Sequence, residues 1–595
     1  TYMNRWLRAA LLGAVLLLSA CGDATPAPTP SPTVGQVQAT ETPAAAAEAT
    51  EVTTGEQETA TPEVKGDDAQ PGEETATPGG PAQGDTGGGA MVADLGFRPA
   101  ANGFKFENYG AAEGLTNLTP DDLRRMFGDQ VCASTADNGC ILTPPAEQWM
   151  VNTNEAMGGG HCEGFAALSL VFYTQKESPT RFGGDKTYDL DIAGNQALQR
   201  EIAYFFATQA TLPTQQSEVK GKTPNEILDM LTEAFKTGSQ GGDTYTMGIY
   251  QPGFKGGHAI TPYAVQDKGN GVFSVMVYDN NYPGLERSVE IDRNANTWVY
   301  TASTNPNEPA SEYKGDADTQ TLTITPTSPR LEKQVCNFCD EVAGGSSGAR
   351  LQAPATQYNE IWVDGDGHLL ITTPDGKRLG YVDGNLVNEI PGASFQTVRS
   401  DDLWKDTEEP VYYIPTGIEF TVTLDGDGLE GQSDSSVTMI GPGYDLGVDN
   451  ILLDPGEQDT ITFSADGKTI SYQTEYNESP DIILGVETDA ADYEFYSKGV
   501  DIESGAVMTL GIDVAKGTLS LSTKGNKEDG IYELDMNRID DEGEQAFGHD
   551  DISLAPDSTA LLEFGKWTGN GGEIPLSIDE GSDGTIDDTI SLTDE

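Results

Sequence analysis

Met157-Gly158-Gly159-Gly160-His161-Cys162-Glu163-Gly164-Phe165, continued without a breaker through Ala166 to Tyr173, is the stretch on which the first half of the chain turns. Phe165, Leu168, Ser169 and Phe172 recur at helical spacing, so the run after the glycines reads as one helix. Cys162 therefore stands where a glycine loop meets a helix N-terminus. The partial positive charge there favours thiolate over thiol, most of all beside a protonated imidazole. The glycines let a second backbone come close. Backbone N–H groups at the helix start can receive a developing oxyanion.

A thiolate that does chemistry needs a base, and the chain has only 4 His. His161 adjoins Cys162 and points away from it in helical or extended backbone. His368 and His549 fall in the β-rich remainder. His258, in Gly256-Gly257-His258-Ala259-Ile260, opens the strand HAITPYAVQ; the turn Asp267-Lys268-Gly269-Asn270-Gly271 follows, then the strand VFSVMVYD ending at Asp279-Asn280-Asn281. A hairpin centred near 269 sets position 258 opposite about 279 or 280. A carboxylate or amide then lies beside the imidazole, where a catalytic His needs its orienting group.

Gly-His-Cys-Glu-Gly-Phe before a helix, Gly-His-Ala at a strand start and Tyr-Asp-Asn at the next strand end resemble the papain-like cysteine peptidases over about 95–300. The resemblance implies Cys162 as nucleophile, His258 as general base and acid, and Asp279 as the orienting residue, with Asn280 the alternative third member. Transglutaminase-like enzymes share the Cys–His–Asp order and are the neighbouring reading. Papain relatives place an oxyanion-hole Gln several residues before the Cys; here that region reads Asn152-Thr153-Asn154-Glu155-Ala156, with Gln148 further back, and Asn154 is the candidate. The competing readings are an inert buried Cys, a packed His and a plain turn at YDNN.

Around this core the expected organisation is α+β. Thr119-Pro120-Asp121-Asp122 and Thr223-Pro224-Asn225-Glu226 carry helix-start signals, and NQALQREIAYFFAT (195–208) is a third helix. TYTMGIY, HAITPYAV and GVFSVMVYD are strands. The expected domains are a signal peptide over 1–20, a lipidated Cys and stalk over 21–92, a papain-like domain over 93–335, and β-sandwich-like modules over 355–475 and 476–595. Cys132 with Cys140 and Cys336 with Cys339 are expected disulfides in an exported protein, a four-thiolate zinc site being the competing reading. Asp579, Asp583 and Asp587 partly echo a calcium loop, although Gly581 occupies a ligand position and no Glu closes it; Asp-Gly turn chemistry explains the same residues. No other cofactor is expected.

At the N-terminus Arg5 and Arg8 precede the apolar run Ala9 to Ala20, short of the ~20 residues a spanning helix needs. Leu18-Ser19-Ala20-Cys21-Gly22 resembles the bacterial lipoprotein lipobox, which implies cleavage before Cys21, lipidation of Cys21 and a place on the outer face of a bacterial membrane. Residues 23–90 are rich in Thr, Pro, Ala, Gly and Glu and read as a disordered, extended stalk. With 595 residues, 33 Lys+Arg, 96 Asp+Glu and a formal charge of -63, the chain lacks the basic face that nucleic acid requires, and an anionic bilayer would repel it except through the lipid. The expectation is a membrane-anchored cysteine peptidase or amidase acting on a peptide or protein substrate. Its alternatives are a catalytically inactive surface binding or adhesion lipoprotein using its β modules, and a transglutaminase-like cross-linker.

Overall fold

Helix starts follow the local chemistry. The computed structural model describes residues 89–595 except 112–113, 137–138, 239–241, 303–310, 341–356, 400–408, 568 and 570; Cys21 and the stalk up to 88 lie outside the described residues. All described residues belong to one unit, Pro78–Glu595. Helix α1 (Pro99–Asn102) is a single turn. Thr119 and Asp122 form a capping box in front of α2 (Pro120–Phe127). An unanticipated helix, α3 (Pro144–Ala156), begins behind Thr143 with proline in its first turn. Then come α4 (Cys162–Tyr173) and α5 (Gln196–Ala207), the latter capped by the Asn195 side chain on the Leu198 amide. The short α6 (Leu212–Ser217) precedes α7 (Pro224–Lys236), which opens with the Thr223–Glu226 capping box.

The chain then turns to strands: β1 (Ala90–Asp94) from the start of the domain, β2 (Tyr245–Gln251), β3 (Lys255–Gly269), β4 (Val272–Tyr278), β5 (Arg287–Asp292), β6 (Thr297–Ala302), β7 (Ser311–Asp316) and β8 (Leu322–Pro326). They form one antiparallel sheet in the order β8-β2-β3-β4-β5-β6-β7, with β1 on the far half of β3. The β3–β4 ladder ends at Thr261↔Tyr278, after register shifts at Pro262/Ala264 and Asp267/Gly269. His258 thus lies beyond the last paired rung, and Asp279 reaches it from the first residue past β4. The expected neighbourhood holds, but through side chains rather than a ladder pair.

Helix α4 packs between this sheet and α5, with eleven of its positions buried, from Cys162 to Phe172. Gly164 permits the approach: a Cβ there would stand 2.2 Å from the Ile202 carbonyl oxygen of α5.

From Tyr358 onward the chain is strands and turns, making an α+β protein with a β-rich second half. Successive hairpins are thrown alternately onto two sheets of nine and eleven strands. Ser433–Gly441 with Tyr444–Leu453, Asp481–Val486 with Asp492–Lys498, and Gly530–Asp540 with Gly543–Leu554 build one sheet. Gln458–Phe463 with Thr469–Gln473 and Val507–Asp513 with Thr518–Lys524 lie in the other. The hairpins of the first sheet recur every ~49 residues, an internal repeat in which units bury apolar faces against one another. The two modules expected to meet at 475/476 are therefore one: Tyr444–Leu453 pairs with Asp481–Val486, Thr469–Gln473 pairs with Val507–Asp513, and a single apolar core runs from Ile361 to Leu592.

The two halves also share a core. Trp149 of α3 stacks on Phe338 at 5.6 Å between ring centroids, and both belong to a cluster with Trp362, Tyr413 and Ile440 of the β half. Phe338 is held between Cys336 and Cys339, which form a disulfide, as do Cys132 and Cys140. Among the described residues no helix is long and apolar enough to cross a membrane.

Candidate active site

Cys162 is the first residue of α4, behind His161 at the N-cap, and its thiol is fully buried. The Ala259 amide, next in sequence to His258, donates to Sγ at 3.4 Å. Sγ itself donates to the backbone oxygen of Arg399 at 3.4 Å. The Asn280 side-chain amide donates to the Cys162 oxygen at 3.2 Å and to the Ala259 oxygen at 2.8 Å, tying the start of the helix to the strand that bears His258.

His258 is buried, and its Nε2 lies 2.8 Å from Asp279 Oδ1. The opposite oxygen, Oδ2, accepts from the Tyr300 hydroxyl at 2.5 Å, and Tyr300 in turn accepts from Arg287 Nε at 2.9 Å. The Asn281 amide donates to Oδ1 at 3.0 Å. Burial works to raise the Asp279 carboxyl, but the charge and hydrogen bond of His258, the Tyr300 hydroxyl and the Arg287 charge outweigh it and hold it below the usual carboxylate range. Burial and the Asp279 charge push the Tyr300 hydroxyl well above its ordinary value, so it remains a donor. An ionised carboxylate can only accept, so the hydrogen is assigned to Nε2 and Nδ1 is the basic nitrogen of the ring.

Of the residues singled out from sequence, His258 and Asp279 are hydrogen-bonded, Cys162 meets their strand at the neighbouring Ala259 amide, and Asn280 serves as the backbone brace. Asn154 does not join them through its amide, which exchanges hydrogen bonds with the Leu118 backbone at 3.0 and 3.2 Å; in a helix interior its reach goes to that neighbouring loop. Gln148 is bonded to Asn152 one turn along α3 at 2.8 Å. The amide that does meet a carbonyl beside the thiol is Gln209, whose Nε2 donates to the Arg399 oxygen at 3.3 Å. His161 contacts the Tyr109 oxygen at 2.6 Å and Asn117 at 2.8 Å, and burial lowers it to about 4, so it stays neutral and pins the glycine loop.

A buried ionic cluster adjoins the thiol. Glu163 pairs with Arg330, and its second oxygen lies 2.7 Å from Arg399 Nε. Arg399 reaches Glu218 at 2.7 Å and the Tyr250 hydroxyl at 3.1 Å. Burial opposes the charge on Glu218, but Arg399 and Lys220 overcome it and hold its carboxyl down to about 2. Sequence reading missed Tyr300, Gln209, Glu218 and Arg399, none of which sits in a recognisable motif.

The aspartates weighed as calcium ligands cap their own turn. Asp579 accepts the amides of Asp583 and Gly584 at 3.0 and 2.8 Å, Asp583 that of Thr585 at 2.9 Å, and Asp587 that of Glu580 at 2.9 Å. A different acidic group, Glu457, Asp459 and Glu478, brings one oxygen from each within 4.8 Å of the others, a donor set suited to a hard cation. The Tyr472 hydroxyl lies 2.8 Å from Asp459 and 2.6 Å from Glu478. Burial first, then mutual repulsion, raises Asp459 to about 6 and Glu478 to about 7. The folded state therefore binds more protons than the unfolded chain between the ordinary carboxylate range and pH ~7, so this cluster loses stability as pH rises through that window. Melting of the β half is expected several degrees lower at pH 8 than at pH 5 in chelator. Glu478→Gln is expected to flatten that slope, and an unchanged slope in the variant would contradict the assignment.

No family model and no solved structure matches the chain. Two curated proteins share a short similarity: Cilia- and flagella-associated protein 52 of Macaca fascicularis, 26% identical over 110 residues that make up 18% of each chain, and its Homo sapiens counterpart, 26% identical over 110 residues, 18% of this chain and 16% of that one. The chain spans less than a fifth of the length of these relatives.

Proposed function

We propose that the protein is a thiol hydrolase of papain-like organisation, a cysteine peptidase or amidase held at the outer face of a bacterial membrane by a lipid on Cys21. The observation that carries this reading is the chain of contacts from the Cys162 thiol at a helix start, through the His258–Ala259 strand, to Asp279 and Tyr300. In the proposed reaction the Cys162 thiolate attacks an amide carbonyl, His258 takes the thiol proton and delivers it to the leaving amine, and Asp279 holds the imidazole in the required tautomer. Gln209, whose Nε2 donates to the same Arg399 oxygen as the thiol, would receive the oxyanion, together with the backbone amides at the start of α4. Water then resolves the thioester; an amine acceptor in its place would give the transglutaminase-like outcome.

Iodoacetamide labelling followed by intact mass tests the thiol. In an Arg399→Ala protein, where the side chain over the site is shortened, Cys162 is expected to react at neutral pH faster than a cysteine in an unfolded control, with His258→Ala slowing it about a hundredfold. Reaction no faster than the control sinks the enzyme reading. The tether part fails if acyl incorporation survives Cys21→Ser.

A second reading is supported by one observation: the thiol is fully buried under Arg399. In it the chain is a surface binding lipoprotein whose β half does the work. It gains if Cys162 stays inert in the same labelling.

A further inference from the structure

The segment 396–399 comes from the β half, yet it lies in the Cys162 site. Gln396 ends the short strand Ser394–Gln396 and accepts from Lys220 Nζ at 2.5 Å. The Thr397 hydroxyl donates to the Phe254 oxygen at 3.1 Å, just before β3. Arg399 is then held as a peptide is held: its amide donates to Gln209 Oε1 at 2.8 Å, and its oxygen accepts from Gln209 Nε2 at 3.3 Å and from the Cys162 thiol at 3.4 Å. The carbonyl nearest the nucleophile is thus that of an arginine.

The side chain of that arginine fills a pocket shaped to it. Its terminal nitrogen donates to Glu218 Oε1 at 2.7 Å and to the Tyr250 hydroxyl at 3.1 Å, and its Nε lies 2.7 Å from Glu163 Oε2 as an ion pair, so two carboxylates face one guanidinium from different sides. A lysine ammonium lacks the extended planar set of donors that reaches Glu218, Tyr250 and the neighbourhood of Glu163 from one group. Two glycines clear the walls. A Cβ on Gly248 would stand 3.0 Å from the Arg399 terminal nitrogen, and a Cβ on Gly257 would stand 3.0 Å from its Cγ. With Arg399 withdrawn, two buried carboxylates would face one fully buried guanidinium, that of Arg330, while Lys220 touches Glu218 from a position 39% exposed. Such a pocket demands another cation of the same shape.

We infer that the Cys162 site selects an arginyl group on the acyl side of the bond it attacks, and that Arg399 is the built-in occupant of this arginine pocket. The inference rests on the thiol-hydrolase reading and adds its substrate class. With an arginyl peptide in place of 396–399, the Sγ–C bond forms as the C–N bond to the next residue breaks. The thiol proton passes through His258 to the departing amine. Water then splits the thioester, leaving an arginine carboxylate and the thiol.

The test compares arginyl and leucyl chloromethyl ketones as labels of Cys162, read by intact mass on the full chain as wild type, Arg399→Ala and Arg399→Gln, with melting curves to establish folding. Both variants are expected to take the arginyl reagent at least tenfold faster than wild type and at least tenfold faster than the leucyl reagent. Adding Glu218→Gln is expected to shrink that preference. Equal labelling by the two reagents overturns the arginine pocket and leaves the thiol reading standing. If iodoacetamide also fails to label Cys162 in the folded variants above the unfolded control, the thiol reading itself falls. Should neither variant fold, the ratio of the two labels on wild type at long times decides, a ratio near one overturning the inference.

Discussion

Asp279→Asn is expected to slow acyl transfer by about four orders of magnitude, because a neutral amide stabilises the wrong imidazole tautomer. Asp279 now accepts the Nε2–H of His258 and leaves Nδ1 basic on the ring. An asparagine can turn its own N–H toward Nε2, which drives the ring hydrogen to Nδ1 and removes the base. Tyr300 can still bond the retained oxygen in the Oδ2 position, and the loss of the Oδ1 acceptor for the Asn281 amide costs about one hydrogen bond. Stability and reactivity should therefore part company: melting moves little, while alkylation of Cys162 near neutral pH falls steeply. The wild-type carboxyl lies below its usual range, so between pH 5 and 8 it is ionised throughout and contributes no step to the profile. Tyr300→Phe removes two hydrogen bonds, the one donated to Asp279 and the one accepted from Arg287, and should cost about tenfold. An Asp279→Asn protein that alkylates as fast as wild type would remove Asp279 from the mechanism.

What was legible in the sequence is what short-range physics specifies. The Thr119 and Thr223 caps, the glycine-led start at Cys162 and the two disulfides each depend on residues within a few positions of one another. The His258–Asp279 pair depends on one hairpin, and hairpin geometry is set by its turn. The failures are all long-range. Gln209 and Arg399 are 190 residues apart, and Cys162 and Arg399 are 237 apart; no periodicity encodes such a meeting. Gln458–Phe463 alternates buried with more exposed positions and Asp481–Val486 is buried at five of six, but neither pattern tells which sheet the strand joins. Only the packing of one hairpin on the next places them on opposite layers and carries the β half across 475/476 without a break.

Arg330→Met is expected to destabilise the protein by about 3–5 kcal/mol, the cost of stranding a buried charge. At ~2–4 °C per kcal/mol for a domain of this size, melting should fall by on the order of 10 °C. Arg330 has no exposed surface, and besides Glu163 it bonds the Thr208 hydroxyl at 2.9 Å and Thr246 at 3.2 Å. Burial alone would lower its basicity, and the Glu163 charge offsets part of that. Removing it leaves Glu163 with Arg399 and the Thr246 hydroxyl, all buried. The double change Arg330→Met with Glu163→Gln should recover part of the loss, since the stranded charge goes with its partner; additive costs would mean that the two act independently. Because Glu163 follows Cys162 directly, the single variant should also disturb the thiol, and its alkylation should lose the dependence on His258. A loss under 1 kcal/mol would show that the cluster is solvated, and the arginine pocket built on the same carboxylate would lose its selectivity with it.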